Sequence, residues 1–270
     1  MLLKFVQNIQ KSLEYNRVEL TDEQKWQQLH TWYASELGYR LFESEKDLMS
    51  QSLSDLFGYY LLQCGCPEAN AVFPAGSWLK GSRVSSCFCL NFHNKQGVSG
   101  LSELHSLPVQ TDCIDVVVLP HVLECSSNPH EVLREVERVL IPEGHVVILG
   151  FNPWSLWNLL RIFPFTRKLA PWNAKFLSAF RVIDWLSLLG FDLIDHKGYF
   201  YRPPIQREDL MKKLNFIERL GEKFWPKFGA GYMLVARKRV QTLTPIKPKW
   251  TRQRKVLASG LEPMNRNNCE

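Results

Sequence analysis

The sequence predicts an α/β protein: a mostly parallel seven-stranded sheet with helices on both faces, preceded by an N-terminal helical extension. Three observations carry that expectation. Residues 107–150 read as apolar strand, loop, amphipathic helix, Pro-Gly turn and second apolar strand, which is one βαβ crossover, the unit of a parallel sheet. Further apolar runs punctuated by Gly and Pro lie on either side of it. A chain of 270 residues that is 45% hydrophobic can also bury one large core.

From the N-terminus to about Leu56 the chain reads as helical. Trp26, Leu29, His30, Trp32, Tyr33 and Leu37 are spaced for one apolar face, and Leu41, Phe42, Leu48, Leu53, Leu56 and Phe57 continue it. Gly58 punctuates the change to a first strand, 59–64. The turn-rich CPEANAVFPAGS stretch separates it from a second strand at 84–92, and a short third follows at 97–101. Residues 114–119 are a β-branched run with one acid, Asp115, as suits a strand buried on both faces. Asn128 has the character of an N-cap, Pro129 suits the first helical position, and Glu131 stands at capping-box spacing. Val132, Leu133, Val136, Val139 and Leu140 form the apolar stripe of that helix, with Arg134, Glu135, Glu137 and Arg138 on its wet face. Pro142 and Gly144 end it, and 145–149 form the next strand. An aromatic-rich connection, 151–180, holds Trp154, Trp157, Phe163, Phe165, Trp172 and Phe176. A helix at 181–189 ends at Gly190, and strands at 191–196 and 232–236 flank a charged helical stretch, 207–223. The organisation expected is an extension at 1–56, a domain at 57–240 with a lid at 151–180, and a basic tail at 241–270.

Composition narrows the function classes. No apolar run reaches about 18 residues, so no membrane span is expected. The opening MLLKFVQNIQKSLEYN is broken by Lys4, Gln7 and Lys11 and does not read as a secretory signal. Seven cysteines, an odd number, do not form a disulfide framework, and a reducing cytoplasm is the expected home. The net charge of +6 is local: nine Lys/Arg against two Glu from Arg237 onward leave the preceding body near neutrality. That tail reads as solvated chain. A nucleic-acid contact is its weaker alternative, since Trp250 is its one aromatic for base stacking.

Several pieces then stand in a telling order: Glu103, Leu107–Pro108 four residues later, the DVVV run at 115–118, RVL at 138–140, PEG at 142–144 and VVIL at 146–149. In this order they resemble the type 11 group of class I S-adenosylmethionine-dependent methyltransferases, over about 58–239. The GFNPWSLW and LVARKR segments further resemble an uncharacterised bacterial branch of that group. The resemblance implies a Rossmann-like fold, S-adenosylmethionine as cofactor, and methyl transfer to an acceptor that the sequence does not identify. It implies a cofactor cleft formed by Gly65, Asn91, Glu103, Leu104, Leu119 and His121. Gly65 would meet the methionine part, Asn91 the ribose hydroxyls and Glu103 the adenine amino group. His121 would line the cleft or act as a base toward the acceptor. No catalytic residue is assigned, because the sulfonium already carries a good leaving group and alignment supplies much of the rate.

The chain also departs from that pattern. Strand one ends in LLQCGCPEANAVF, where Cys66, Pro67 and Glu68 replace the later glycines until Gly76. Pro67 removes a backbone donor, and Glu68 adds negative charge where the cofactor carboxylate would lie. Strand two ends with Asn91, His93 and Asn94 and offers no carboxylate for the ribose. Both changes weaken a family-like binding mode, so a second reading stays open: a catalytically inactive relative acting as a binding or regulatory partner. Methyl transfer requires a nucleoside-sized hollow beside Gly65 and Glu103.

Two other groupings invite chemistry. Cys64 and Cys66, with Cys87 and Cys89, form Cys-x-Cys pairs on neighbouring strands, each pair on one face if extended. Zinc ligand pairs favour longer gaps on turns, so these read as small buried hydrophobes and no metal is expected. Asn152–Pro153–Trp154 invites comparison with the Asn-Pro-Pro-aromatic motif of amino-methylating nucleic-acid enzymes. It follows the fifth strand here, not the fourth, and so reads as a wall of the acceptor pocket or as a lid packed on the core.

Overall fold

Among the described residues seven strands form one sheet: β1 (Tyr60–Cys64), β2 (Ser86–Asn91), β3 (Gly100–Leu101), β4 (Ile114–Pro120), β5 (Leu140–Phe151), β6 (Phe191–Tyr199) and β7 (Gly231–Lys238). Their spatial order is β3-β2-β1-β4-β5-β7-β6. β7 runs antiparallel to both β5 and β6, and every other pairing is parallel. The α/β fold with a mostly parallel sheet is therefore as the sequence predicts. This computed structural model describes residues 20–67, 76–79, 81–92, 97–159, 171, 174–202 and 228–240. Glu68, His93, Asn94, Phe163, Phe165, Trp172, the 207–223 stretch and the 241–270 tail lie outside them.

Among the described residues the helices are α1 (Asp22–Tyr33), α2 (Glu36–Leu53), α3 (Val122–Cys125), α4 (Pro129–Val139), α5 (Leu156–Leu159) and α6 (Ala179–Leu188). α1 opens on a capping box: Gln24 N–H donates to Thr21 Oγ1 at 3.3 Å, and Thr21 N–H donates to Gln24 Oε1 at 3.0 Å. Trp26, Leu29 and Tyr33, spaced at three and four residues, are its buried face. α2 buries Leu37, Leu41, Phe42, Met49 and Leu53, and these side chains share one continuous core with β1, β4 and β5. No helix among the described residues is long and apolar enough to cross a membrane.

The central crossover forms, with two differences in detail. Asn128 precedes α4, but its side chain makes no capping bond to the backbone; its Nδ2 reaches Glu131 Oε2 at 3.5 Å instead. Pro142 and Gly144 do not separate helix from strand. β5 begins at Leu140, and its register against β4 jumps from Ile114↔Leu140 to Val116↔His145, so the PEG segment is accommodated as an irregularity with Glu143 at φ 64°. β4 is buried along nearly its whole length, and the acid in it is a structural acceptor. Asp115 Oδ2 takes the N–H groups of Tyr59 and Tyr60 at 3.0 and 2.8 Å, fixing the start of β1.

The Leu107–Pro108 and RVL pieces belong together physically. Arg138 donates to the carbonyls of Leu107 and Val109 at 3.1 and 2.9 Å and forks onto Glu135, which in turn accepts the Leu107 N–H at 3.1 Å. The fork positions the chain entering β4. Replacing Arg138 by Lys keeps the charge and loses the planar fork. This half-exposed clamp is expected to lose about 1–2 kcal/mol of stability in a urea titration.

Candidate functional site

Gly65, Asn91, Leu119 and His121 come together at the carboxyl ends of three adjacent strands, β2, β1 and β4, where parallel sheets hold their ligands. Gly65 follows β1 with φ 80°, a left-handed conformation natural to glycine, and its N–H donates to Leu90 O at 2.7 Å. Asn91 ends β2 and Leu119 lies at the end of β4, both fully buried. His121 follows β4 in a left-handed conformation, φ 55°, which is uncommon for a residue with a side chain. Leu104 is buried as well. Glu103 is not brought in with them: its carboxylate is 72% exposed and sits 3.1 Å from His105.

The hollow expected beside Gly65 is filled. The indole of Trp26, carried there on the inner face of α1, donates its Nε1–H to Asn91 Oδ1 at 2.9 Å. A Cβ built on Gly65 would lie 2.5 Å from Trp26 Cη2 and 2.9 Å from Val122 Cγ2, so the indole rests directly on the glycine. Trp26 is 1% exposed and packs edge-on against Phe92. Asp22, four residues earlier, accepts the Ser127 N–H at 2.7 Å and moors the start of α1 to the chain beyond α3. That bond and Lys25 hold the Asp22 carboxyl below its ordinary pKa, against the opposing effect of burial. With α1 so placed, these residues fit an indole. They do not fit a nucleoside, because the Gly65 face and the Asn91 carboxamide are both occupied by Trp26.

His121 sits deeper, in a buried network that motif reading did not find. Its Nε2 is 3.0 Å from Glu45 Oε1, and its Nδ1 is 3.3 Å from Glu124 Oε2, an ion-pair distance without hydrogen-bond alignment. Tyr33 and Tyr199 donate their hydroxyls to Glu45 at 3.0 and 2.9 Å, and Glu124 accepts the Phe151 N–H. The imidazole also lies against the Phe151 ring, centroids 4.1 Å apart. Burial disfavours the imidazolium, but Glu124 and Glu45 outweigh it and bring the His121 pKa up to about 9. The two carboxylates thus favour the imidazolium at neutral pH. Glu45 had a legible signal, an acid in the apolar stripe of α2 between Leu41 and Met49. Its partner Tyr199 on β6 had none, and His121 was marked by its place after β4 but not as a partner of Glu45.

The remaining groupings are structural. Asn152 donates to Gly229 O and accepts the Trp154 N–H, both at 3.0 Å, so its amide closes the turn after β5. Trp154 is exposed and Trp157 is buried, with its Nε1–H on Arg202 O at 3.0 Å. Cys64 and Cys66 do not continue one strand face, because Gly65 breaks the extended chain between them. Burial, with Cys89 nearby, pushes the Cys64 thiol up to about 12, which makes it inert. Among the described residues no three His, Cys, Asp or Glu are grouped to hold a metal ion.

Residues 90–148, from the end of β2 into β5, match the methyltransferase domain family. Over 156 residues the chain is 36% identical to YafS, an uncharacterised protein of Escherichia coli (strain K12); the match takes in 57% of this chain and 61% of that protein. A SAM-dependent methyltransferase of Thermotoga maritima superposes with a TM-score of 0.55 at 14% identity, over 80% of this chain and all of the other (100%). The N-methyltransferase NodS of Bradyrhizobium japonicum, solved with S-adenosyl-L-homocysteine, superposes with a TM-score of 0.51 at 14% identity, over 79% and 98%. Strand order, matched segment and neighbours agree: this chain has the class I S-adenosylmethionine-dependent methyltransferase fold, with a methyltransferase-domain segment at its centre.

Proposed function

We propose that the chain is an S-adenosylmethionine-dependent methyltransferase acting on an acceptor still to be identified. The observation that carries this reading is the sheet itself: one antiparallel strand, β7, inserted between β5 and β6 of an otherwise parallel array. The methyltransferase-domain match, which runs from the end of β2 into β5 and does not reach β1, supports it. On this reading Gly65, Asn91, Leu104 and Leu119 form the cofactor cleft, Glu103 turns inward to the adenine, and His121 is a fixed cation in the floor. Asn91 accepts from ribose hydroxyls as a neutral group, more weakly than a carboxylate would.

The seated Trp26 favours a second reading, a methyltransferase-like protein without the activity that serves as a binding or regulatory partner. Calorimetric titration with S-adenosylhomocysteine separates the two. The enzymatic reading expects saturable heat, with affinity about tenfold weaker in Glu103→Gln, from loss of a charged acceptor. No heat up to millimolar ligand, in the wild type and in Trp26→Ala alike, would sink it. Given binding, a radiolabelled methyl donor in cell extract then sorts acceptors by size.

A further inference from the structure

We infer that α1 is a gate for the cofactor. The Trp26 indole holds the place on Gly65 and Asn91 that the methionine and ribose parts need, so cofactor entry and withdrawal of α1 are one event. The inference rests on the methyltransferase reading above. Its basis is a double coincidence at one point. Trp26 touches both residues that the motif pattern assigns to the methionine and ribose parts, one by van der Waals contact and one through a directed hydrogen bond. Here the indole N–H is met by a buried carboxamide, a partner that could equally receive a hydroxyl.

α1 is held at both ends and by the buried side chains of Trp26, Leu29 and Tyr33. Its first turn is held by the Asp22 carboxylate on the Ser127 N–H, a polar contact at the protein surface, and its last residue by Tyr33 on Glu45. α2 is anchored independently, because Glu45 is also bound by His121 and Tyr199. Ala34 and Ser35 join the two helices, and opening requires α1 to swing about that link and free its buried face while α2 stays in place. A site open in a small fraction of molecules binds with its affinity reduced by that fraction. A ligand that needs the open state shifts the population toward it only to the extent of its preference for that state.

The test measures S-adenosylhomocysteine affinity by calorimetry in the full-length wild type, Trp26→Ala, Trp26→Phe and Asp22→Ala, with hydrogen exchange of residues 22–33 alongside. The gate expects Trp26→Ala to bind at least about tenfold more tightly than wild type, and Asp22→Ala, which touches neither Gly65 nor Asn91, about threefold more tightly. It also expects ligand to lower the protection of 22–33 in the wild type. Because removing a buried indole can unfold a domain, Trp26→Phe and Asp22→Ala carry the test should Trp26→Ala fail to fold. Equal affinities across the series, with unchanged protection of α1, would overturn the gate and leave the methyltransferase reading standing. Absence of binding in every folded variant up to millimolar ligand would overturn both, and Trp26 would then be a permanent part of the core.

Discussion

Replacing His121 with leucine is expected to lower the unfolding free energy by about 3–5 kcal/mol, the loss that follows when one partner of a buried ion pair is removed. Glu45 and Glu124 lie on either side of the ring, essentially without solvent exposure, and the imidazolium is the cation between them. Tyr33 and Tyr199 hydrogen bonds would remain on Glu45, but Glu124 would keep only the Phe151 N–H. The same network gives a pH signature. The His121 pKa is raised from 6.5 to about 9 on folding, so the folded state binds the extra proton. Its stabilisation is complete below pH 6.5 and is lost as pH rises from there through about 9. His145 and His196, whose pKa values burial lowers, act below that window, and the buried thiol of Cys64 acts only above its ordinary value of 9.0. Urea midpoints of the wild type should therefore fall between pH 6.5 and 9, and those of His121→Leu should be nearly flat there. A wild type whose midpoint does not move across this window would refute a charged His121.

The fold was legible because its information is local. The β-branched 114–119 run, the Pro129 helix start and the apolar stripe from Val132 to Leu140 each name an element without reference to the rest of the chain. The differences arise where tertiary contact decides. Pro142 and Gly144 read as a break, yet pairing with β4 resumes at His145 and draws the whole segment into β5. Asn128 reads as a cap, yet its amide turns to Glu131. Gly65, Asn91 and His121, which motif spacing singled out, lie at the ends of β1, β2 and β4. That spacing could not say what lies on top of them, because periodicity reads Trp26 simply as a residue of an apolar face. Nothing local tells that this face lands on β1 and β2. The Glu45 network was hidden for the same reason: the acid is visible in its stripe, but His121 and Tyr199 are 76 and 154 residues away.

Gly65→Ala is expected to destabilise the protein by about 2–4 kcal/mol, from two separable causes. The first is backbone strain, since φ 80° is a conformation that an L side chain adopts only at about 1–2 kcal/mol. The second is overpacking, because the new methyl group would meet Trp26 Cη2 at 2.5 Å and Cζ2 at 2.8 Å. Both ring atoms belong to the six-membered part of the indole, which phenylalanine, being shorter, does not extend to the same place. Trp26→Phe should therefore relieve the second cause and leave the first untouched. In a double-mutant cycle followed by urea unfolding, the pair is expected to be less destabilised than the sum of the singles by about 1 kcal/mol. Additive effects would mean that the indole does not rest on Gly65 in solution. The cycle needs no ligand, so it tests the seat of Trp26 independently of any methyl donor. Its sign decides whether the carboxyl edge of β1 is closed by α1 before a cofactor arrives.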